Sequence, residues 1–337
     1  MYDLIVSGAG PVGSFLAWVF SRKGYKVLVL EEHKEIGKPL ACSGLISKSL
    51  WNFIPFNKKI IEKKIDGARV HVGEKTHVFK SDQAMVINRT ALDRYIANLA
   101  KKAGAKYFLG SRVINFFEGN DVSVYVKTNG KIKNIKTKLL AGCDGPLSTV
   151  RKNIGLKNPK YLHGIFTYVK GKGDSFVDLY FKEFPGFFAW RIPRGAHIEY
   201  GIASATRAKI HFNKFLKKHN VKPGKIFSGL IPYGLLPRVS SQRVFLCGDA
   251  ASQVKPYSGG GVVYGLTAAD IASKTIDPNN PNTKKYEKEW RKKLGKEIKT
   301  GLWIKRFYSL PSPFLNMALN KISKKRNLNM DKPSSIF

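Results

Sequence analysis

Apolar residues recur along this chain with two different periods. Tyr2-Asp3-Leu4-Ile5-Val6 is a short, almost continuous apolar run of the kind a buried strand shows, and Val12, Phe15, Leu16, Val19 and Phe20 then repeat as one face of a helix. Gly24 stands where a glycine ends such a helix. Lys26 to Leu30 reads as a second strand, and the runs Leu139-Leu140-Ala141 and Val244-Phe245-Leu246 read as two more. Helical spacing returns on Leu92, Ile96, Leu99 and Ala103, closed by Gly104, and again on Val262, Leu266, Ala269 and Ser273. Gly67 to Ser81 and Tyr161 to about Lys225 read as strands, with Phe176, Asp178 and Tyr180 alternating against Val177, Leu179 and Phe181. The uncharged run Leu4 to Ser21 is neither a signal peptide nor a membrane span, because only Asp3 precedes it and Gly8, Gly10, Pro11 and Gly13 interrupt it.

Between the first strand and its helix lies Gly8-Ala9-Gly10-Pro11-Val12-Gly13, a G-x-G-x-x-G pattern in the strand-turn-helix setting that gives it meaning. Gly8 serves the tight turn, Gly10 lets the backbone approach a pyrophosphate, and Gly13 lets helix and strand pack closely. The N–H groups at the helix start then bind phosphate. Glu31 follows Gly13 by 18 residues, where an acid receives the ribose hydroxyls, and Glu32 is the alternative in the next register. An acid here, rather than Arg, argues against a 2′-phosphate.

Two further motifs combine glycine with an acid. Gly142-Cys143-Asp144-Gly145 alone means little, because strand ends often carry Asp-Gly turns. Cys247-Gly248-Asp249, followed by Pro256-Tyr257-Ser258-Gly259-Gly260-Gly261 and a helical pattern, is more specific. Its bare N–H groups at a helix start suit a partial negative charge such as that on a reduced flavin ring.

Composition narrows the class. The 337 residues fit two compact domains or one composite domain, and 43% hydrophobic with 12% aromatic residues exclude a disordered chain. Cys42, Cys143 and Cys247 share no CxxC spacing and the seven His lack close pairing, so neither a disulfide framework nor a metal site is expected, and a reducing, cytoplasmic compartment is. The 59 Lys+Arg against 23 Asp+Glu give a net charge of +36. Residues 271–337 contribute +11 of it, beyond a Pro- and Asn-rich linker at Pro278 to Thr283. There Ser312-Pro313 opens a helix with Leu315, Ala318, Leu319 and Ile322 on one face and Lys321, Lys324, Lys325 and Arg326 beyond it. Such an element suits an anionic membrane surface, or equally a helix packed on the body.

The ordered set of Gly8 to Gly13, Cys143-Asp144-Gly145 and Gly248-Asp249 with Pro256 and its glycines resembles FAD-dependent enzymes of the p-hydroxybenzoate hydroxylase fold. The resemblance implies an α/β architecture: a Rossmann-like FAD-binding domain of GR2 type from residues 1–55, 85–155 and 228–275, an inserted antiparallel β-sheet substrate domain from 56–84 and 156–227, and a basic helical C-terminal tail at 276–337. It also implies that the first motif holds the FAD pyrophosphate, Asp144 belongs to the cofactor site, Asp249 holds the ribitol, and Arg89, in Asn88-Arg89-Thr90-Ala91-Leu92-Asp93, contacts FAD. Pro39-Leu40-Ala41-Cys42-Ser43-Gly44-Leu45-Ile46-Ser47 and Pro185-Gly186-Phe187-Phe188-Ala189-Trp190-Arg191-Ile192-Pro193-Arg194 then look like the geranylgeranyl reductase family, in its subgroup of archaeal digeranylgeranylglycerophospholipid reductases, with Ile192 where the family carries an aromatic residue. The implied activity is saturation of the prenyl chains of membrane-lipid precursors, with hydride from the N5 of reduced FAD. Cys42 is then the proton-relay or flavin-gating candidate, Trp190 shelters positive charge, and Tyr180, Phe187 and Phe188 line the substrate pocket. Peripheral membrane association and electrons from ferredoxin or NAD(P)H complete the picture. Competing readings are an aromatic hydroxylase, a non-catalytic prenyl-lipid escort, against which the intact flavin motifs argue, and an RNA-modifying flavoenzyme; with no RNA-binding module in the chain, no nucleic-acid partner is expected.

Overall fold

In a computed structural model of the chain, residues 1–325 and 327–336 are described. β1 (Tyr2–Ser7), α1 (Pro11–Ser21) and β2 (Val27–Leu30) form a βαβ unit, followed by the short β3 (Leu45–Ser47). A long hairpin, β4 (Ile61–Val72) with β5 (Lys75–Ile87), leads to α2 (Arg89–Lys102), β6 (Lys106–Phe108) and the meander β7 (Ser111–Glu118), β8 (Val122–Thr128) and β9 (Lys131–Gly142). α3 (Thr149–Asn153) precedes β10 (Lys160–Lys170), β11 (Phe176–Phe181), β12 (Phe188–Arg194), β13 (His197–Ser204), α4 (Ala208–Lys218) and β14 (Ile226–Tyr233). The chain returns through β15 (Val244–Leu246) and α5 (Val262–Thr275), then closes with α6 (Lys284–Trp290), α7 (Lys296–Phe307) and α8 (Ser312–Ser323).

The first sheet has the order β6-β2-β1-β9-β8-β7, with β15 added to the end of β9. β6, β2, β1, β9 and β15 run parallel, and β8 and β7 fold back antiparallel. Leu4, Ile5, Val27 to Leu30, Leu139 and Leu140 are all buried, which is why these strands read as continuous apolar runs. α1 packs between α2 and α5 on this sheet.

The second sheet has the order β14-β10-β13-β12-β11-β4-β5-β3. It is mixed rather than antiparallel, because β4 and β11 run parallel. They arrive from two separate insertions, so no hairpin dictates their relative direction. β3 pairs with β5, which places Leu45–Ser47 in this sheet, whereas the resemblance implies the first domain for residues 1–55. Period-2 alternation divides the faces: Phe188, Trp190 and Ile192 of β12 point to one side, while Ala189 packs with Phe212 and Phe215 of α4 on the other.

The apolar stripe of α8 lies on β4 and β5, with Leu315 and Leu319 in the core of the second sheet. That packing accounts for the amphipathic pattern of the tail, whereas Phe314 and Met317 face outward. Of the basic residues beyond the helix, Arg326 lies outside the described residues. Among the described residues, no helix is long and apolar enough to cross a membrane.

Arg151 joins the two sheets. It is fully buried and donates to the carbonyls of Ala250 (3.0 Å) and Pro146 (2.7 Å), to Asn158 (2.6 Å) and to Tyr161 (2.9 Å). Arg151→Met removes these donors, leaving Pro146 and Tyr161 only their bond to each other (2.8 Å), and is expected to lower stability by about 3 kcal/mol in urea unfolding.

Candidate active site

The glycine-rich turn after β1 is set by backbone approach. Gly8 has φ +101°, and a Cβ on it would lie 2.3 Å from the carbonyl oxygen of Cys143; one on Gly13 would lie 2.1 Å from the Gly8 oxygen. Gly10 meets nothing within 4 Å, so this stretch of backbone is open. Pro11 begins α1 and leaves its first N–H groups facing the same space. Of the two adjacent acids, Glu31 turns inward: Oε2 accepts the Ala9 N–H at 2.7 Å and Oε1 the His33 N–H at 2.9 Å. Glu32 is exposed, opposite Arg112 at 3.6 Å, because successive residues at a strand end point to opposite sides.

Asp249 sits in the turn after β15. Among the described residues no hydrogen bond reaches its carboxylate, which opens into the cavity beside Gly259, Gly260 and Gly261. Burial pushes its pKa up to about 6, with Arg89 pulling the other way. Asp144 is placed differently from expectation. Its carboxylate accepts from Ser148 Oγ (2.5 Å) and from the N–H groups of Thr149 (2.8 Å) and Val150 (3.1 Å), so it caps the start of α3 rather than facing the cavity. Pro256 also lies off the cavity, against Gly301 of α7, where a Cβ would come within 2.8 Å of its ring.

These turns form one end of a cavity of about 340 Å³ that continues under the second sheet. Cys42 and Arg89 stand where the two parts meet. Burial works against the Arg89 charge, but Asp93, at 3.2 Å, and the Cys42 sulfur outweigh it and hold the guanidinium protonated. Phe166, Leu179, Phe187, Phe188, Trp190 and Ile192 form the far wall. Phe187 and Phe188 stack with centroids 4.2 Å apart, and Tyr308 packs edge-on against both. Tyr180 is a correction: it lies on the opposite face of β11, stacked on His71 at 4.6 Å and packed against Phe215 of α4, because its neighbours Leu179 and Phe181 take the other side.

Sequence reasoning did not find several residues around this cavity. Gly201 lies opposite Trp190 in the β12–β13 register, and a Cβ there would come within 2.4 Å of the indole. Glu199 accepts the Trp190 Nε1–H at 2.7 Å. Lys255 pairs with Asp331 at 2.9 Å, and Tyr257 donates to the Met330 carbonyl at 2.6 Å, bringing Met330 to the cavity wall. Each of these contacts spans neighbouring strands or segments more than 70 residues apart, so no local pattern displays it.

A family model described as FAD binding domain matches residues 55–171. The chain is 30% identical to digeranylgeranylglycerophospholipid reductase 1 of Methanococcoides burtonii, covering 92% of this chain and 84% of the relative. The chain belongs to the geranylgeranyl reductase family. The corresponding reductase of Methanothrix thermoacetophila is 28% identical, over 98% of this chain and 93% of the relative. A geranylgeranyl bacteriochlorophyll reductase-like protein from Thermoplasma acidophilum superposes with a TM-score of 0.89 at 21% identity, covering 99% and 95% of the two chains. The p-nitrophenol 4-monooxygenase of Pseudomonas putida shares the fold at TM-score 0.79 and 15% identity, covering 99% and 95%. This geranylgeranyl reductase family member is an FAD-dependent oxidoreductase. Its cavity fits the cofactor: open backbone at Gly10, a helix N-terminus for phosphate, and at Asp249 a carboxylate that has no partner among the described residues and can accept from hydroxyl groups.

Asp249→Ala is expected to weaken FAD binding about 10- to 100-fold while the protein stays folded, measured by flavin fluorescence titration. Because the ionised carboxylate is the better acceptor, wild-type affinity should fall as pH drops through about 6. Asp249→Asn should remove that dependence.

Proposed function

We propose that this reductase saturates carbon–carbon double bonds in the geranylgeranyl chains of archaeal-type membrane-lipid precursors. The observation that carries the reading is the chemistry of the far wall. From Phe166 through Leu179, Phe187, Phe188, Trp190 and Ile192 to Ile231, the second sheet offers carbon surface, and the one polar group among these side chains, Trp190 Nε1, is turned away toward Glu199. A branched hydrocarbon chain loses no hydrogen bond on entering such a wall, whereas a phenol hydroxyl would find no side-chain partner there. The names of the relatives point to the same substrate class.

Saturating an isolated trisubstituted alkene consumes the π bond and forms two C–H bonds, one from a hydride and one from a proton. Reduced FAD, when bound, supplies the hydride. Cys42, which lines the cavity together with Arg89, holds the proton at Sγ. The faces of Phe187, Phe188 and Trp190 shelter positive charge on the more substituted carbon. Leu179, Ile192 and Phe166 keep water from that carbon. The net charge of +36 suits an acidic redox protein of ferredoxin type as electron donor. It also suits an anionic bilayer, against which the exposed Phe314 and Met317 of α8 sit with Lys321 and Lys324.

Holoenzyme bleached with dithionite under anaerobic conditions is expected to recover its yellow colour on adding a geranylgeranyl lipid, with product two mass units heavier per bond reduced. Turnover of NAD(P)H and oxygen with a phenol, and no response to lipid, would establish the hydroxylase instead. Cys42→Ala should slow lipid-driven reoxidation about 100-fold while leaving the flavin spectrum intact.

A further inference from the structure

Behind Trp190 the second sheet buries a charged pair that does not itself line the cavity. Glu199 of β13 is fully inaccessible; Oε1 accepts the Trp190 Nε1–H at 2.7 Å, and Oε2 accepts from Arg194 Nη1 at 2.7 Å. The same guanidinium donates to Glu62 of β4 (2.9 Å), to the carbonyl of Ser43 next to Cys42 (2.7 Å) and to that of Ile87, the end of β5 (3.3 Å), and lies 4.4 Å from the centre of the Tyr168 ring. One cation thus ties the Cys42 loop, the strand leading to Arg89, and the strand carrying Trp190. Buried ion pairs of this kind return little stability against an apolar replacement. The indole itself is held twice, by Glu199 at its edge and by the missing side chain of Gly201 under its plane.

We propose that Glu199 is a positioning residue for Trp190: anchored by Arg194, its carboxylate fixes the indole across the cavity from Cys42 and, by accepting the Nε1 proton, enriches the ring face that meets positive charge on the substrate. The inference rests on the alkene reduction proposed above. A charge-assisted bond to an ionised acceptor is shorter and stronger than a neutral one, and the electron density it leaves on the ring strengthens a cation–π contact. Burial pushes the Glu199 carboxyl up to about 7, with Arg194 and the Trp190 N–H opposing it; Glu62 and Tyr168 are the other titratable groups of this cluster. The two pH effects therefore run in opposite directions. The folded state holds this proton more tightly than the unfolded chain, so the Glu199 contribution to stability is full below the ordinary carboxyl range and is lost as pH rises to about 7, while the ionised acceptor for Trp190 appears as pH passes about 7. A purely structural role would make activity follow stability; the positioning role makes it rise where that stability has already been lost.

The test uses oxidised holoenzyme labelled with ¹⁵N-tryptophan, the Trp190 indole resonance being assigned by its loss in Trp190→Phe. The Nε1 proton is expected downfield, moving further downfield as pH rises through about 7, and Glu199→Gln should shift it upfield and abolish the titration. In turnover, Glu199→Gln should lower kcat about tenfold with KM and FAD affinity little changed, remove the rise in rate through about pH 7, and cause no further loss in a Trp190→Phe background. An indole signal indifferent to pH and to Glu199→Gln overturns the proposal, as does a kcat loss that adds to that of Trp190→Phe. Should Glu199→Gln fail to fold, the wild-type titration decides alone. The indole signal needs no substrate, so its titration in a protein that reduces no lipid would count against the reaction and not against the contact.

Discussion

Three turns of backbone meet at the carboxyl edge of the first sheet more closely than any side chain would allow, and the rest of the structure is arranged around that approach. Gly8 and Gly13 lie against each other and against Cys143, while Val12 presses on Gly248 and on Gly265 of α5, where a Cβ would come within 2.5 Å. Segments far apart in the sequence are thereby fixed to within a few tenths of an ångström. Gly10, Asp249 and the run Gly259 to Gly261 consequently share one cavity, and the N-termini of α1 and α5 open onto it. Unpaired N–H groups and a carboxylate with no partner of its own among the described residues are the chemistry of a cofactor site, since both await hydrogen bonds that the chain does not supply.

The second sheet completes the site by alternation. Leu179, Phe188, Trp190 and Ile192 of β11 and β12 face the cavity, while Tyr180 and Ala189 between them pack under α4, so the same strands form the apolar wall and the outer core. Packing alone leaves a sheet free to shift relative to the loops beside it. Arg194 removes that freedom, because its donors reach β4, β13, the loop of Cys42 and the end of β5 at once. The C-terminal segment adds a second tie, with Lys255 and Asp331 paired and little exposed next to the glycine run. Buried charges of this sort contribute modestly to stability and strongly to a single geometry when every donor is used.

The large positive charge has a smaller part in this arrangement than its size suggests. It lies mainly on exposed lysines, and the amphipathic helix near the C-terminus spends its apolar stripe on β4 and β5. The basic groups that shape the cavity, Arg89, Arg194 and Lys255, are each paired with an acid. Surface charge influences which anionic partners approach, while the paired interior charges determine where Cys42 and Trp190 stand.

The cofactor end of the site was legible in the residues because its requirements are local. A turn that admits only glycine, a helix that starts at Pro11 and an acid at a fixed distance along the chain are all written within about 30 residues, although the close approach that demands Gly8 comes from Cys143. The apolar end was legible only in outline. Aromatic residues near 180–190 announced themselves, but which of them face the cavity depends on strand register, and Tyr180 falls on the wrong side by one position. Asp144 looked like a site residue and became a helix cap, because an acid serves equally in either role until its neighbours Ser148 and Thr149 are placed. Glu199, Gly201 and Met330 left no signal, since each acts on a residue from another strand or from a segment more than 70 residues away. The sequence by itself determined the cofactor and the family; the tertiary structure decided what surrounds Trp190 and Cys42, because hydrogen bonds between strands and ion pairs across the chain depend on distances that only the folded packing defines.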